Sequence, residues 1–383
     1  MPLALLADWP VSDIDRALWE WWQQLPTPKP AKLGVAFSAG ADSTALLLAA
    51  LRLQHGCYRP DRRVALPQQI VALHVHHGLQ SAADAFAQHC KLFCSQLPLA
   101  ASTHASASAR ATAKAAIAAV GSTDSATELE LPTLQDNETQ AVTCVISRVQ
   151  IALAAGDSLE AQARIARYQA LASSAQQTGA EIVLLAHHAD DQAETVLLAL
   201  SRGAGVAGLA GMPAQFNRNG CQFARPLLAL SGAWLRQWLH QHQVPWIEDP
   251  SNTDQRFTRN RFRHSLLPAL EQAMPAFRTS IARSARMAAQ ADQLLQALAK
   301  QDMEQTGNPP RIRALQQFDR ARQANLLRYW LKNSYQTTGS EAQISALLDV
   351  LAACTTRGHK IRIKTGNGYV ERDGEKLVWG LLQ

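Results

Sequence analysis

The stretch His187-His188-Ala189-Asp190-Asp191-Gln192-Ala193-Glu194 holds two imidazoles and three carboxylates. On a helix, His187 and Asp191 lie four apart and Asp191 and Glu194 three apart, so they share one face near its N-terminus. Acids are common there because they complement the helix macrodipole. Two adjacent aspartates, two histidines and a glutamate nevertheless place more ionisable groups on one rim than capping requires, and point to a functional site.

A second stretch, Ser38-Ala39-Gly40-Ala41-Asp42-Ser43, has the composition of an anion cradle. Small residues let backbone N–H groups close on a phosphate, Ser38 and Ser43 add hydroxyl donors, and a following helix points its positive end inward. No G-x-x-x-x-G-K-[ST] run exists and no lysine lies in the turn, so this is not a Walker A loop. A plain strand-to-helix turn capped by Asp42 or Ser43 is the competing reading.

Arginines form the third concentration. After Trp246-Ile247-Glu248-Asp249-Pro250-Ser251-Asn252 come Arg256, Arg259, Asn260, Arg261, Arg263 and His264, interleaved with Phe257 and Phe262 and free of acids over 255–265. That pattern suits phosphate neutralisation and base stacking. Arg164 and Arg167 project together with Glu160 one turn earlier, which by itself reads as a solvated face with an internal ion pair. Arg202-Gly203-Ala204-Gly205, with Gly208 and Gly211, is a glycine-rich turn that an ordinary helix end also explains.

Alternating strands and helices must position these groups. Apolar runs at 33–37, 70–75 and 181–186 each end in a polar loop, and helical stretches follow at 44–53 and 192–200. This implies an α/β fold with a parallel sheet, ligands at the carboxyl ends of the strands, and all three polar loops on one rim. Residues 100–145, rich in Ala, Ser and Thr, read as a flexible insertion. The pattern resumes at 144–153, followed by an amphipathic helix over 158–173 with Ser158 as its N-cap. Beyond Pro226 the texture is helical, at 231–242, 266–276 and 277–300. After a break at Thr306-Gly307-Asn308-Pro309-Pro310, helices at 318–332 and 340–351 precede an alternating basic strand, 360–364, and a second strand from Tyr369. The division expected is 1–228, 229–305 and 306–383.

With 383 residues, 47% of them hydrophobic, the chain is long enough for two or three domains and needs no disulfide scaffold. Lys and Arg exceed Asp and Glu by 37 − 31 = 6, which suits a polyanionic partner where the arginines cluster. The six cysteines include no C-x-x-C pair, so reduced thiols in a cytoplasm are expected. Cys90 and Cys94, one helical turn apart, read as small apolar residues on one helix face. The N-terminus lacks the basic region of a signal peptide and no run is long and apolar enough to span a membrane. Oligomeric state stays open, a homodimer included.

Taken together, FSAGADSTALLL, LHVHHGLQ, SLEAQARIARYQAL, LLAHHADDQAETVLLALSRGAGVAGLAGM, RPLL and WIEDPSNTDQRFTRNRFRHSLLPAL resemble the tRNA(Ile)-lysidine synthetase family, in that family's order. The segment from about Arg311 to Leu351 looks like the family's C-terminal tRNA-binding part, more loosely. The resemblance implies a PP-loop, adenine nucleotide alpha hydrolase-like domain, then a helical neck and a small α+β C-terminal domain. It implies an ATP- and Mg²⁺-dependent ligase joining L-lysine to the wobble cytidine of tRNA(Ile) with a CAU anticodon, through an adenylated cytidine. By the same resemblance Ser38, Ala39, Gly40, Ala41, Asp42 and Ser43 bind ATP, with Mg²⁺ near Asp42. Asp191 and Glu194 match the positions for lysine handling and chemistry, and His187 and Arg167 those for adenylation. Arg202, Arg256, Arg259, Asn260 and Arg263 are then expected on tRNA. The loop departs from the family's pattern in reading Ser-Ala-Gly, and a negative φ at Ala39 is expected to leave the cradle intact. A thiolase of the same fold would carry paired cysteines, which are absent. A silent RNA-binding relative would not need Asp42, Asp191 and Glu194.

Overall fold

Strand β1 (Lys32–Ala36) is the middle strand of a seven-stranded sheet, and Leu33 and Val35 are shut off from solvent in it. The computed structural model describes residues 6–78, 83–97, 129–130, 142–151, 159–248, 258–356 and 358–381. β2 (Gln69–His76), β4 (Cys144–Arg148), β5 (Ile182–Leu184) and β7 (Cys221–Ala224) continue the sheet in parallel. β3 (Leu129–Glu130) and β6 (Gln215–Arg218) close its edges antiparallel, giving the order β3-β4-β2-β1-β5-β7-β6. The chain leaves β1 toward β2 on one side and later returns to β5 on the other. This reversal of strand order makes a crevice at the carboxyl ends of β1 and β5, the place where open α/β sheets bind ligands.

Alternate residues of each strand face opposite sides of the sheet. Leu33, Val35, Ile70, Ala72, Ile182 and Leu184 pack on one side against α1 (Asp13–Gln24), α2 (Ala41–Gln54) and α3 (Ala83–Ser95). Val71, Leu73, Val145 and Val183 pack on the other side against Tyr168, Leu171 and Ala175 of α4 (Leu159–Thr178). α2 is buried nearly all round, so its only basic residue, Arg52, is paired with Asp15 of α1 at 2.7 Å. α5 (Ala189–Ser201) follows β5, and α6 (Gly232–Gln241) follows β7.

The chain folds into two compact units, residues 1–201 with 211–283, and residues 202–210 with 284–383. The first also holds α7 (Leu267–Ala273) and the start of α8 (Phe277–Thr306). The second has its own core, in which Leu326, Leu327 and Trp330 of α9 (Arg320–Tyr335) meet Ile344, Leu347 and Leu351 of α10 (Glu341–Ala353). Its sheet has three antiparallel strands, β8 (Arg362–Thr365), β9 (Gly368–Asp373) and β10 (Lys376–Leu381).

The α/β reading and its parallel sheet hold. Several elements go beyond it, among them α1, the β6–β7 hairpin, β10 and β3, a short strand within the stretch read as a flexible insertion. Gly40, rather than Asp42 or Ser43, occupies the cap position of α2. Ser158 and almost all of 100–145 lie outside the described residues. All six cysteines are free thiols, and Cys90 and Cys94 are both buried.

Candidate active site

The loop after β1 closes on itself before α2 begins. The Ser38 backbone N–H donates to Ser43 Oγ at 3.1 Å, the two hydroxyls lie 3.1 Å apart, and Ser43 Oγ donates to the Gly40 carbonyl at 3.0 Å. The first intrahelical bond runs from the Thr44 N–H to the Gly40 carbonyl. The N–H groups of Ala41, Asp42 and Ser43 therefore precede the helix's own ladder, and a helix end of this kind attracts anions. Ala39 has φ +63°, in the left-handed region, so the negative φ on which an intact cradle was expected to depend is not met. A methyl group is held where the backbone favours glycine, and the Ala39 carbonyl accepts the Ile247 N–H at 2.9 Å.

The loop after β5 faces this cradle. Buried His188 places Nε2 3.4 Å from Asp42 Oδ2 and 3.5 Å from Asp191 Oδ2. Burial pulls its pKa down, but the hydrogen bond to Asp42 and the charges of Asp191, Asp42 and Asp190 outweigh it, and the net shift is upward. For Asp42, burial raises the carboxyl; His188, Arg236 and Arg263 outweigh it and hold the group below the usual range. The Asp190 backbone N–H also lies 3.2 Å from His188 Nδ1, an arrangement that suits the neutral ring and opposes the carboxylates' pull. Gly232 explains how the ring fits, since a Cβ there would stand 2.9 Å from His188 Cε1 and Nε2 and 3.1 Å from Asp190 Oδ2.

Asp191 does some capping, accepting the His188 backbone N–H at 3.0 Å. Its other oxygen meets Arg263 at 2.9 Å, and the same guanidinium reaches Glu194 at 2.6 Å. Glu194 is buried, with 4% of its side chain exposed, so this pair of carboxylates holds a cation in a sheltered place. Arg263 reaches inward from a π-helical turn, Phe262–Leu266, a widening that recurs at functional sites. Asp190 is bound by Arg278 at 2.6 Å and by the Gly232 N–H at 3.1 Å.

His187 lies beside a different set of groups. The Nε–H of Arg225, the residue after β7, donates to its Nδ1 at 3.2 Å. Burial first, then the charges of Arg225, Arg164 and His188, lower His187 to about 4 against the opposing pull of Asp191. Arg167 donates from Nε to His77 Nε2 at 3.2 Å. That imidazole is lowered to about 4 by burial and by Arg167.

The structure thus gathers Asp42, Asp191, Glu194 and Arg263 into one cluster, with His187 alongside, and pairs Arg167 with His77. Asn260 is half-buried; Arg202 is exposed and belongs to the second unit. Arg256 and the side chain of Arg259 lie outside the described residues. Sequence reasoning gave no role to His188, Arg225 or Gly232. Arg225 did carry a signal, since it heads the RPLL run on which the resemblance partly rests, but that run gave it no role.

Residues 12–129 and 122–270 match the family model for the PP-loop domain, which makes the first unit a PP-loop domain. Residues 311–378 match the model for the TilS substrate binding domain. The tRNA(Ile)-lysidine synthase of Polaromonas naphthalenivorans (strain CJ2) is 45% identical over 356 residues, covering 92% of this chain and 91% of that protein. Its namesakes in Burkholderia mallei (strain ATCC 23344) and Pseudomonas aeruginosa PAO1 are each 36% identical, over 88% and 78% of this chain and 59% and 58% of those proteins. The chain belongs to the tRNA(Ile)-lysidine synthase family, and spans nearly all of the first relative and under two thirds of the other two.

Proposed function

We propose that the chain ligates L-lysine to C2 of the wobble cytidine in tRNA(Ile) with a CAU anticodon, forming lysidine and changing codon reading from AUG to AUA. The observation that carries this reading is one crevice holding both an anion cradle and a carboxylate pair, buried Glu194 and half-buried Asp191, already clasping a guanidinium.

In the first step ATP adenylates the cytosine C2 oxygen and pyrophosphate leaves. The N–H groups of Ala41, Asp42 and Ser43 face the charge that develops on the leaving group, and the hydroxyls of Ser38 and Ser43 join them by turning away from the loop bonds they make to each other and to the Gly40 carbonyl. Asp42 fits Mg²⁺, because its Oδ1 is buried without a hydrogen-bond partner and its carboxyl is held anionic. A bound Mg²⁺ would neutralise charge on the departing pyrophosphate, with phosphate and water oxygens as its other ligands.

In the second step the ε-amine of lysine attacks C2, the bond from C2 to the adenylate oxygen breaks, and AMP leaves. The amine arrives as an ammonium, which Asp191 and Glu194 suit, and one of them takes its proton before attack. Arg202, Arg256, Arg259 and Asn260 are assigned to tRNA phosphates, while Arg263 holds the carboxylates until lysine arrives. Residues 1–228 then form the catalytic part, 229–305 a neck and 306–383 the tRNA-binding part. No described helix is long and apolar enough to cross a membrane, and the free thiols suit a cytoplasmic enzyme.

The test is pyrophosphate release from ATP with lysine and unmodified tRNA(Ile) (CAU) each present or omitted, following labelled lysine into the tRNA. Incorporation that needs all three substrates is expected. Pyrophosphate release without incorporation would point to another nucleophile, and no release at all would overturn the enzymatic reading.

A further inference from the structure

We propose that Arg225 fixes the proton of His187 on Nε2, so that this histidine serves adenylation as a neutral hydrogen-bond donor and takes no part in acid–base transfer. The inference rests on the reaction proposed above and adds a positioning residue to it.

The sheet order puts β7 next to β5, so the residues after their carboxyl ends, Arg225 and His187, are neighbours. Arg225 is 4% exposed. Its guanidinium lies over the Phe216 ring, 4.3 Å from the centroid, and donates to the Pro213 carbonyl at 2.6 Å, to Tyr168 Oη at 3.3 Å and to His187 Nδ1 at 3.2 Å. Three anchors besides His187 hold it in place. None of the described carboxylates lies within ion-pair distance, so burying this cation is costly and calls for a purpose beyond pairing.

A guanidinium nitrogen only donates. Nδ1 of His187 must therefore be the acceptor, and the one proton of the neutral ring sits on Nε2. An imidazolium would set an N–H against an N–H. The other charged groups around the ring act in the same sense, with burial the largest influence and Arg164 and His188 adding to Arg225; Asp191 alone opposes them. With a value of about 4, the ring is neutral in all but about one molecule in a thousand at pH 7. Nδ1 is occupied and Nε2 already carries a proton, so His187 is neither acid nor base at neutral pH. The proton of the attacking ammonium is then left to Asp191 or Glu194. His187 is half-buried rather than enclosed, and the donor role assigned to it needs its Nε2–H to reach a substrate oxygen.

The test is long-range ¹H–¹⁵N correlation on the full chain labelled with ¹⁵N-histidine, using His187→Gln to assign the ring. The expected spectrum has an unprotonated Nδ1 and a protonated Nε2 from about pH 5 to pH 8. In Arg225→Met and Arg225→Lys, which lack the Nε–H, the ring should mix tautomers and titrate closer to its ordinary value of 6.5. A wild-type ring protonated on Nδ1, or charged near neutrality, would overturn the proposal; so would folded Arg225 variants with unchanged spectra. Should those variants fail to fold, the wild-type spectrum alone decides. In pyrophosphate release, His187→Gln, which keeps an amide donor, should exceed His187→Ala by about tenfold; equal rates would count against a donor role. The spectrum needs no turnover, so the expected tautomer with no lysine incorporation would sink the reaction and leave the ring proton where it is assigned.

Discussion

Ala39→Gly is expected to leave stability nearly unchanged, although it removes a methyl group that is 1% exposed. At an ordinary backbone conformation the change would cost about 0.8 kcal/mol for the lost buried carbon. The freer unfolded chain of glycine would add about 0.4–1 kcal/mol. At φ +63°, however, alanine already bears about 1–2 kcal/mol of left-handed strain that glycine does not. The opposing contributions cancel to within about 1 kcal/mol. Ala49→Gly is the control, equally buried but inside α2, where it should cost the lost carbon plus about 1 kcal/mol of helix propensity. The two variants should therefore differ by about 1–2.6 kcal/mol, read as urea midpoints by tryptophan fluorescence. If Ala39→Gly loses as much as Ala49→Gly, the left-handed conformation of the loop is wrong, and the cradle's geometry with it.

Asp191→Asn should abolish lysine transfer and leave tRNA affinity nearly unchanged, because it removes an anion from the cation site rather than a cation from the tRNA surface; wild-type turnover would remove Asp191 from the mechanism. Gly232→Ala should cost about 1–3 kcal/mol and slow pyrophosphate release, since its Cβ would displace the ring of His188 or the carboxylate of Asp190. An unaltered rate and midpoint would show that this packing does not hold His188 in place. The raised pKa of His188 means that its stabilisation is complete below its unfolded value of 6.5 and is lost as pH rises through the folded value. Compared with His188→Gln, the wild type should therefore keep its advantage below about pH 6.5 and lose it as pH rises above that value in paired urea melts, and an advantage that grew with pH would refute the shift.

The α/β frame was legible because its central strands are apolar on both faces and each ends in a conspicuous polar loop. From that alternation follow the crevice and the meeting of Asp42 with Asp191. The β6–β7 hairpin also had a signal, Asn219-Gly220, whose φ values of +51° and +72° are those a two-residue turn requires. Flanking strands that are short and half-polar obscure it. Arg263 was expected on tRNA, and the structure pairs it instead with Asp191 and Glu194. In a basic run it looks like its neighbours, and only a π-helical turn, which has no sequence signature, directs it toward carboxylates some seventy residues away. Arg225 was hidden for a similar reason, since its partner sits across the β5–β7 pairing.

Charge explains why one crevice can serve two unlike steps. Asp42, Asp190, Asp191 and Glu194 bring four negative charges, while Arg236, Arg263 and Arg278 bring three positive ones, so 3 − 4 leaves −1 before His188 is counted and 0 if it is charged. Glu271, which shares Arg278 at 2.5 Å, makes the deficit larger. An incoming ammonium relieves that deficit, as does Mg²⁺ at Asp42. The opposite flank, with Arg164 and Arg225 around a neutral His187, is cationic and suits phosphate. Asp191 lies between, for its charge acts on His187, His188, Arg225 and Arg263 together. When the bound ammonium passes its proton to Asp191 or Glu194, the total charge of amine and carboxylates is unchanged. The free amine therefore forms without a new charge being buried, and this makes the transfer feasible in a sheltered site.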